Sequence, residues 1–338
     1  MPAMFSQVRF RHPPISSFLW LPNSLCYPQG SQFGKEDLFR SIPNFSDHPC
    51  WQDQTMGTTS DNIEQNADRQ LWAAKLDDYF KAQKHAIIAY SGGVDSALLA
   101  YAAHRALGNN MVAVLADSPS LARREYRFAV NFAQSHGMPL QVIRTLEMDN
   151  PKYQVNQSDR CYYCKKALFE KIEVLREQLQ GASTIEPWPV SYGVNMDDLG
   201  DYRPGIQAAS EASIQAPYVE LEFTKQTIRS ICAYYHLEIA EKPAMPCMAS
   251  RLAYGEAVTK EKLNQVEQAE GFLYDLGLRV LRVRHHGDTA RIEVPPEAFA
   301  TILKHQKNIR LKFHDLGFVY VSLDLDGFRS GSLNSVLY

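Results

Sequence analysis

Apolar residues first fall into a regular period near Leu71. Trp72, Leu76, Tyr79 and Phe80 recur at i, i+4, i+7 and i+8, one face of an amphipathic helix, so the folded part is expected to begin there. Strand and helix patterns then alternate: His85 to Tyr90 strand, Ser96 to Leu107 helix, Met111 to Ala116 strand, Leu121 to His136 helix, Pro139 to Leu146 strand. This βαβαβ series predicts an α/β fold, a parallel sheet with helices on both faces. Cys161 to Gln180 reads as a further helix, Val190 to Val194 as a short strand, and Thr224 to Tyr235 as a helix with Thr224 as its N-cap. Beyond Arg251 the order changes to helix (Thr259 to Leu276), strand (Arg279 to His285), strand (Ala290 to Val294), helix (Pro296 to Leu316) and strand (Phe318 to Leu325), a smaller C-terminal α+β domain.

The first 70 residues carry seven of the 18 prolines and no sustained period of either kind. They are expected to be a poorly ordered extension, and Met56 is a candidate later start. Only Arg9 and Arg11 supply fixed positive charge before Lys35, too little for a strong transit-peptide signal. The expected division is 1–70 extension, 71–250 first domain and 251–338 second domain.

Composition narrows the function classes. The chain has 35 Lys plus Arg against 38 Asp plus Glu, a net charge of -3, so no chain-wide attraction for nucleic acid or an anionic membrane is built in. Any anion site must be local. No apolar run approaches the roughly 18 residues of a membrane span. Six cysteines in 338 residues do not make a disulfide scaffold, and the expected compartment is the cytoplasm, where thiols stay free to act.

The sharpest local signal is Ser91-Gly92-Gly93-Val94-Asp95-Ser96, between the apolar strand Ala86 to Tyr90 and the apolar helix that follows. A strand, glycine loop and helix start aim free backbone N–H groups and the positive helix end at one spot, which suits a phosphate or pyrophosphate. The glycines allow close approach, and Ser91 and Ser96 add hydroxyl donors. Asp95 would repel a phosphate on its own, and a bridging Mg2+ ion would turn that repulsion into attraction. The Gly-Lys-Ser/Thr ending of the Walker loop and the GxGxxG of dinucleotide folds are both missing.

Cys161 and Cys164 stand three apart at a predicted helix start, with Arg160, Lys165 and Lys166 beside them, conditions that favour thiolate. Cys247 lies in the proline-rich stretch Lys242 to Arg251. Three thiolates from two segments suit three irons of a 4Fe-4S cluster, with the fourth iron free for exogenous sulfide. A zinc site is less favoured, for want of a fourth ligand. Buried structural thiols are the plain alternative, and Cys232 is most simply a core residue.

SGGVDS after an apolar strand resembles the PP-loop of the ATP pyrophosphatase (adenine nucleotide alpha hydrolase) superfamily, whose members split ATP into AMP and pyrophosphate. The resemblance implies an adenosine site where the second strand ends at Asp117, although an acid ahead of a helix start is the competing reading. Residues 159–166 (DRCYYCKK), 192–205 (YGVNMDDLGDYRPG), 243–255 (PAMPCMASRLAYG) and 324–334 (DLDGFRSGSLN) are similar to segments of the LarE family, ATP-dependent sulfur transferases of nickel-pincer nucleotide cofactor synthesis. The similarity runs in order from about Leu71 to the end.

The resemblance implies that ATP adenylates a carboxylate of a small-molecule nucleotide, pyridinium-3,5-biscarboxylic acid mononucleotide. Sulfur then displaces AMP to give a thiocarboxylate. In one branch the cysteine matching Cys247 is sacrificed; in another, cysteines matching Cys161, Cys164 and Cys247 hold a cluster that delivers sulfide. All three are present here, which favours the cluster branch. Ser250 and Arg251 match a family pair beside the sulfur donor and the substrate phosphate, with Arg251 as an anion clamp. Glu270 and Glu293 correspond to acidic site residues of the family, against the plain reading of solvated side chains. A homo-oligomer, possibly a hexamer, is implied as well.

Three rival readings follow. A PP-loop tRNA thiolase would need a basic surface, for which Arg282, Arg284 and His286 on one strand face are the candidates, yet residues 251–338 hold 12 basic against 11 acidic side chains. A non-catalytic ATP-binding module has no use for Asp95 and a sulfur donor. An amidating ligase has no use for three thiols.

Overall fold

The structure, a computed structural model, describes residues 59–182, 188–200, 203–329 and Ser332. Residues 1–58, with Cys26, Cys50 and Met56, lie outside the described residues, as do Asp201, Tyr202 and most of the final signature after Arg329.

The first helix, α1 (Thr59–Lys81), starts twelve residues ahead of Leu71. Its opening turns are almost wholly polar, so no apolar period announces them. The later part buries Ala73, Leu76 and Phe80. Then come β1 (Ala86–Tyr90), α2 (Val94–Leu107), β2 (Met111–Asp117), α3 (Arg123–Ser135), β3 (Leu140–Arg144), α4 (Pro151–Gln154), α5 (Arg160–Ala182), β4 (Val190–Tyr192), α6 (Pro204–Glu211), α7 (Pro217–Glu220) and α8 (Lys225–Tyr234). Thr224 caps α8 as expected, its hydroxyl accepting from the Thr227 N–H.

The four strands pair in parallel in the order β3-β2-β1-β4. Strand β1 is fully buried on both faces, as a central parallel strand should be. Ile88 and Tyr90 join one core with Leu76, Leu98 and Phe132, while Ile87 and Ala89 join a second with Phe169 and Ile172 of α5. That two-residue alternation fixes which helices cover which face. The glycine loop and Asp117 follow at the carboxyl ends of β1 and β2, the usual ligand place in such sheets.

The chain continues through α9 (Lys260–Asp275), β5 (Arg282–His286), β6 (Thr289–Glu293), α10 (Phe299–Lys304), α11 (Gln306–Asp315) and β7 (Tyr320–Leu323). Strands β5 and β6 pair antiparallel, β6 and β7 parallel. This small mixed sheet packs on α9, α10 and α11 around Leu273, Val283, Ile292 and Phe313. The single helix read over Pro296 to Leu316 is in fact broken at His305, whose N–H is shared by Thr301 and Ile302 carbonyls while its own carbonyl starts the next helix. Ile302, Ile309 and Phe313 face the same core on both sides of the break, so the apolar period does not reveal it. No described helix is long and apolar enough to cross a membrane.

Candidate active site at the carboxyl edge of the parallel sheet

The glycine loop joins β1 to α2, and its last three residues already form the first turn of that helix. Gly92 has φ +75, and a Cβ there would stand 2.6 Å from the Ala129 Cβ on α3, so only glycine fits. Ser91 and Ser96 close the loop on itself: the hydroxyls are 3.0 Å apart, and the Ser91 N–H donates to Ser96 Oγ at 3.1 Å. Gly93 is the extended N-cap of α2 with no side chain to satisfy the free N–H groups of that turn, including those of Val94 and Asp95. They are available to an anion.

Asp95 is held by residues from far along the chain, of which Asn195 lies in the 192–205 motif. Asn195 donates to one carboxylate oxygen at 3.2 Å, Lys225 pairs with the other at 2.5 Å, and the Tyr218 hydroxyl donates to the Asp95 carbonyl at 2.8 Å. Gly193 makes room for this approach, since a Cβ there would lie 2.9 Å from Ser96 N and 3.0 Å from the Asp95 Cβ. The segment after β4 thus docks on the first turn of α2. Lys225 supplies the neutralising charge beside the loop, and Asp95 is a single carboxylate of the kind that shares Mg2+ with substrate phosphates.

Asp117, at the end of β2, pairs with Arg123 at 2.6 Å. The two border a cavity of about 370 Å3 beyond β2 and β3, with Ser118, Arg144, Met148 and Lys260 also in its wall. Asp117 is not the cap of α3, whose first turn begins at Arg123 after Ala122.

Residues 242–251 run along this same edge. Lys242 donates to the Gly92 carbonyl at 2.8 Å, and the Met248 N–H donates to the Ser120 carbonyl at 2.7 Å. Cys247, half-buried, sits between these two anchors. It shares an apolar cluster with Tyr153, Met248 and Cys164. Burial, and next the neighbouring Cys247, push the Cys164 thiol up to about 12. Tyr153 is raised by burial and then by both thiols, and the buried Arg160 faces Cys247 and Cys161. The three thiols therefore occupy one neighbourhood with a guanidinium as counter-charge, while Cys161 is exposed. Sulfur is a soft donor that suits iron rather than a hard cation, but the raised Cys164 thiol runs against the thiolate expected from its basic neighbours. Among the described residues no three His, Cys, Asp or Glu side chains are placed closely enough to hold a metal ion, so Cys161, Cys164 and Cys247 do not form an assembled ligand set here. Glu147, buried with neither carboxylate oxygen hydrogen-bonded, also lies near Cys164, and no sequence signal marks it.

The SR pair takes a different form from a surface clamp. Arg251 is completely buried, forked onto Glu270 at 2.9 and 3.0 Å, and donates to the Pro246 and Cys247 carbonyls at 2.5 and 3.1 Å. Ser250 Oγ donates to the Cys247 carbonyl at 2.7 Å. Glu270 and Glu293 are buried, which overturns the solvated reading: Glu270 also accepts from the Val283 N–H, and Glu293 holds Arg284, Arg291 and Ser332. Arg284 and Arg282 reach back from β5 to the Ser250 and Ala244 carbonyls at 2.8 and 2.9 Å. They are buried rather than set on a wet strand face. Arg282 has no carboxylate partner among the described residues; burial, and next the Arg251 charge, pull it down to about 10. The arrangement offers an anion-binding loop, a thiol and a buried cationic wall along one edge.

Comparison with known proteins gives the same direction. The NAD synthase family profile matches residues 73–165, which include the glycine loop. The chain is 33% identical over 251 residues to the pyridinium-3,5-bisthiocarboxylic acid mononucleotide synthase of Lactiplantibacillus plantarum, an alignment covering 74% of this chain and 89% of that protein. It is 44% identical over 264 residues to an uncharacterized protein of Synechocystis sp., covering 78% and 96% respectively. A glutamine-hydrolyzing GMP synthase component of Thermoplasma volcanium is 30% identical over 190 residues, 53% of this chain and 60% of that one.

Proposed function

The chain belongs to the LarE family of PP-loop, ATP-using enzymes, and from that premise we propose that it converts a carboxylate of pyridinium-3,5-biscarboxylic acid mononucleotide into a thiocarboxylate for a nickel-pincer cofactor. The observation that carries this reading is the path of residues 242–251, which tie the Cys247 thiol to the glycine loop through Lys242 and Gly92.

In the first step Ser91, Ser96 and the free N–H groups of the α2 first turn hold the ATP phosphates. Lys225 offsets the Asp95 charge, and Asp95 is the residue for a Mg2+ ion shared with pyrophosphate, which would neutralise the leaving group. A substrate carboxylate oxygen attacks the α-phosphorus, the bond to pyrophosphate breaks, and an acyl adenylate forms. Arg282, a buried cation without a carboxylate, is the place for an anionic group of the substrate.

In the second step sulfur attacks the acyl carbon and AMP leaves with the electron pair of the broken C–O bond. With Cys247 as donor the product is a thioester; loss of the Cys247 Cα proton and cleavage of its Cβ–S bond release the thiocarboxylate and leave dehydroalanine. Cys161, Cys164 and Cys247 are the residues that would hold a 4Fe-4S cluster, which would supply sulfide in place of the cysteine sulfur. Arg251 and Ser250 serve either route by fixing the Cys247 carbonyl. The tRNA thiolase reading loses its basic strip with the burial of Arg282 and Arg284.

Pyrophosphate release and thiocarboxylate formation test the division of labour. Cys247→Ala should keep the first and abolish the second; loss of both would overturn the assignment of Cys247. Mass spectrometry of the protein after one turnover separates the routes: a loss of one hydrogen sulfide at Cys247 selects sacrifice, and an unchanged mass selects a replenished donor.

A further inference from the structure

The glycine loop contains no basic residue, and the chain supplies cations to it from far downstream. Lys225 pairs with Asp95 of the loop itself. Lys242 is placed differently. Its ammonium donates to the Gly92 carbonyl at 2.8 Å, pairs with Glu125 of α3 at 2.8 Å, and lies 3.6 Å from the centre of the Phe128 ring. Both members of the Lys242–Glu125 pair are nearly buried, with side-chain exposures of 12% and 13%. Arg229 fixes the Lys242 carbonyl at 2.8 Å.

We propose that Lys242 is a second pyrophosphate-side cation of the nucleotide site beside Lys225, a binding residue for the β- and γ-phosphates of ATP that also fastens the sulfur-bearing segment to the occupied loop. The proposal rests on the ATP reading of the glycine loop. A phosphate chain arriving at Gly92 brings several negative charges against the one carboxylate and one carbonyl that now share the ammonium. Burial lowers the Lys242 pKa against the opposing pull of Glu125, and a polyanion beside the ammonium would favour its charged form further. Glu125 holds the ammonium in place until then. Because Lys242 stands five residues before Cys247, the same contact registers nucleotide occupancy in the segment that carries the thiol.

Equilibrium binding of ATP, inorganic pyrophosphate and adenosine to the full chain tests this by calorimetry. Lys242→Met should weaken ATP and pyrophosphate at least tenfold and leave adenosine within twofold, and Lys242→Arg should restore most of the loss. Unchanged pyrophosphate affinity in Lys242→Met overturns the proposal, and so does an equal loss for adenosine, which would mark a distorted site. Failure of the wild-type chain to bind ATP or pyrophosphate would instead sink the ATP reading itself. If Lys242→Met does not fold, acetylation of the wild-type protein by acetic anhydride, quantified lysine by lysine, gives the answer. Pyrophosphate should protect Lys242 and adenosine should not; equal labelling with and without saturating pyrophosphate refutes the assignment.

Discussion

Removing the carboxylate from the Arg251–Glu270 pair decides whether Arg251 braces the fold or clamps a ligand. The guanidinium has no exposed side-chain surface and Glu270 only 8%, so solvent screening of the pair is slight. Glu270→Gln keeps the shape of the side chain but turns an amide NH2 toward a guanidinium and leaves a buried charge without its counter-charge. Removing one partner of such a pair costs about 3–5 kcal/mol. The surviving amide oxygen argues for the lower end, about 3 kcal/mol. With a urea slope near 3 kcal/mol/M, the unfolding midpoint should fall by about 1 M at constant slope. Arg251→Met with Glu270→Leu should recover part of the loss, because an apolar pair of similar volume is about neutral in place of a buried ion pair. Recovery stays incomplete, since the Pro246 and Cys247 carbonyls lose their donor at about 1 kcal/mol each. A loss under about 1 kcal/mol in Glu270→Gln, together with tighter binding of inorganic phosphate as a stand-in for the substrate phosphate, would refute the brace and restore the clamp.

Gly92→Ala forces a side chain into φ +75 and against the Ala129 Cβ; calorimetry should show ATP affinity lost, with strain of about 1–3 kcal/mol in urea unfolding. Gly193→Ala pushes the segment after β4 off Asp95 and Ser96, and is expected to weaken ATP about tenfold (about 1.4 kcal/mol) in the same assay. Acid should destabilise the C-terminal sheet. Burial is the main cause that lowers the pKa of both His285 and His286, aided at His286 by the Arg291 charge and opposed at His285 by Glu256. The folded state then binds these protons less readily than the unfolded chain, so stability is full above about pH 6.5 and falls as pH drops below it. Urea unfolding from pH 8 to pH 5 checks this, and His286→Gln should flatten the decline.

Much of the parallel sheet is legible in the chain because its signals are local. A run such as Ala86 to Tyr90 can only be buried on both faces, and the glycine loop announces the turn that follows it. Thr224 and Thr259 mark helix starts within a residue because the capping hydroxyl acts on a neighbour in sequence. The site partners are hidden for the opposite reason. Asn195 and Lys225 lie 100 and 130 residues from Asp95, and Lys242 lies 150 from Gly92. No period or spacing can encode such pairs. Glu270 on a helix and Glu293 on a strand look like any solvated acid until Arg251 and Arg284 are brought to them by the fold. The first turns of α1 escape because their sequence is polar, and the break at His305 escapes because it does not change which residues face the core.

The segment bearing Cys247 shows what the second sheet does for the first. Pro243 and Pro246 bar a regular hydrogen-bond ladder, yet the segment is half enclosed and its carbonyls need donors. The fold supplies them from cationic side chains: Arg282 to Ala244, Arg251 to Pro246 and Cys247, and Arg284 to Ser250. Arg282 is the one of these three without a carboxylate among the described residues, so Arg282→Met orphans no described buried acid and removes a cation that burial already penalises. Global stability in urea should therefore stay within about 1 kcal/mol of wild type. The Ala244 carbonyl loses its side-chain donor, and amide hydrogen exchange across residues 242–247 should quicken while the cores around Ile87 and Val283 keep their protection. If exchange in that segment is unchanged, the arginines of β5 do not hold the thiol in place, and the C-terminal sheet needs another explanation.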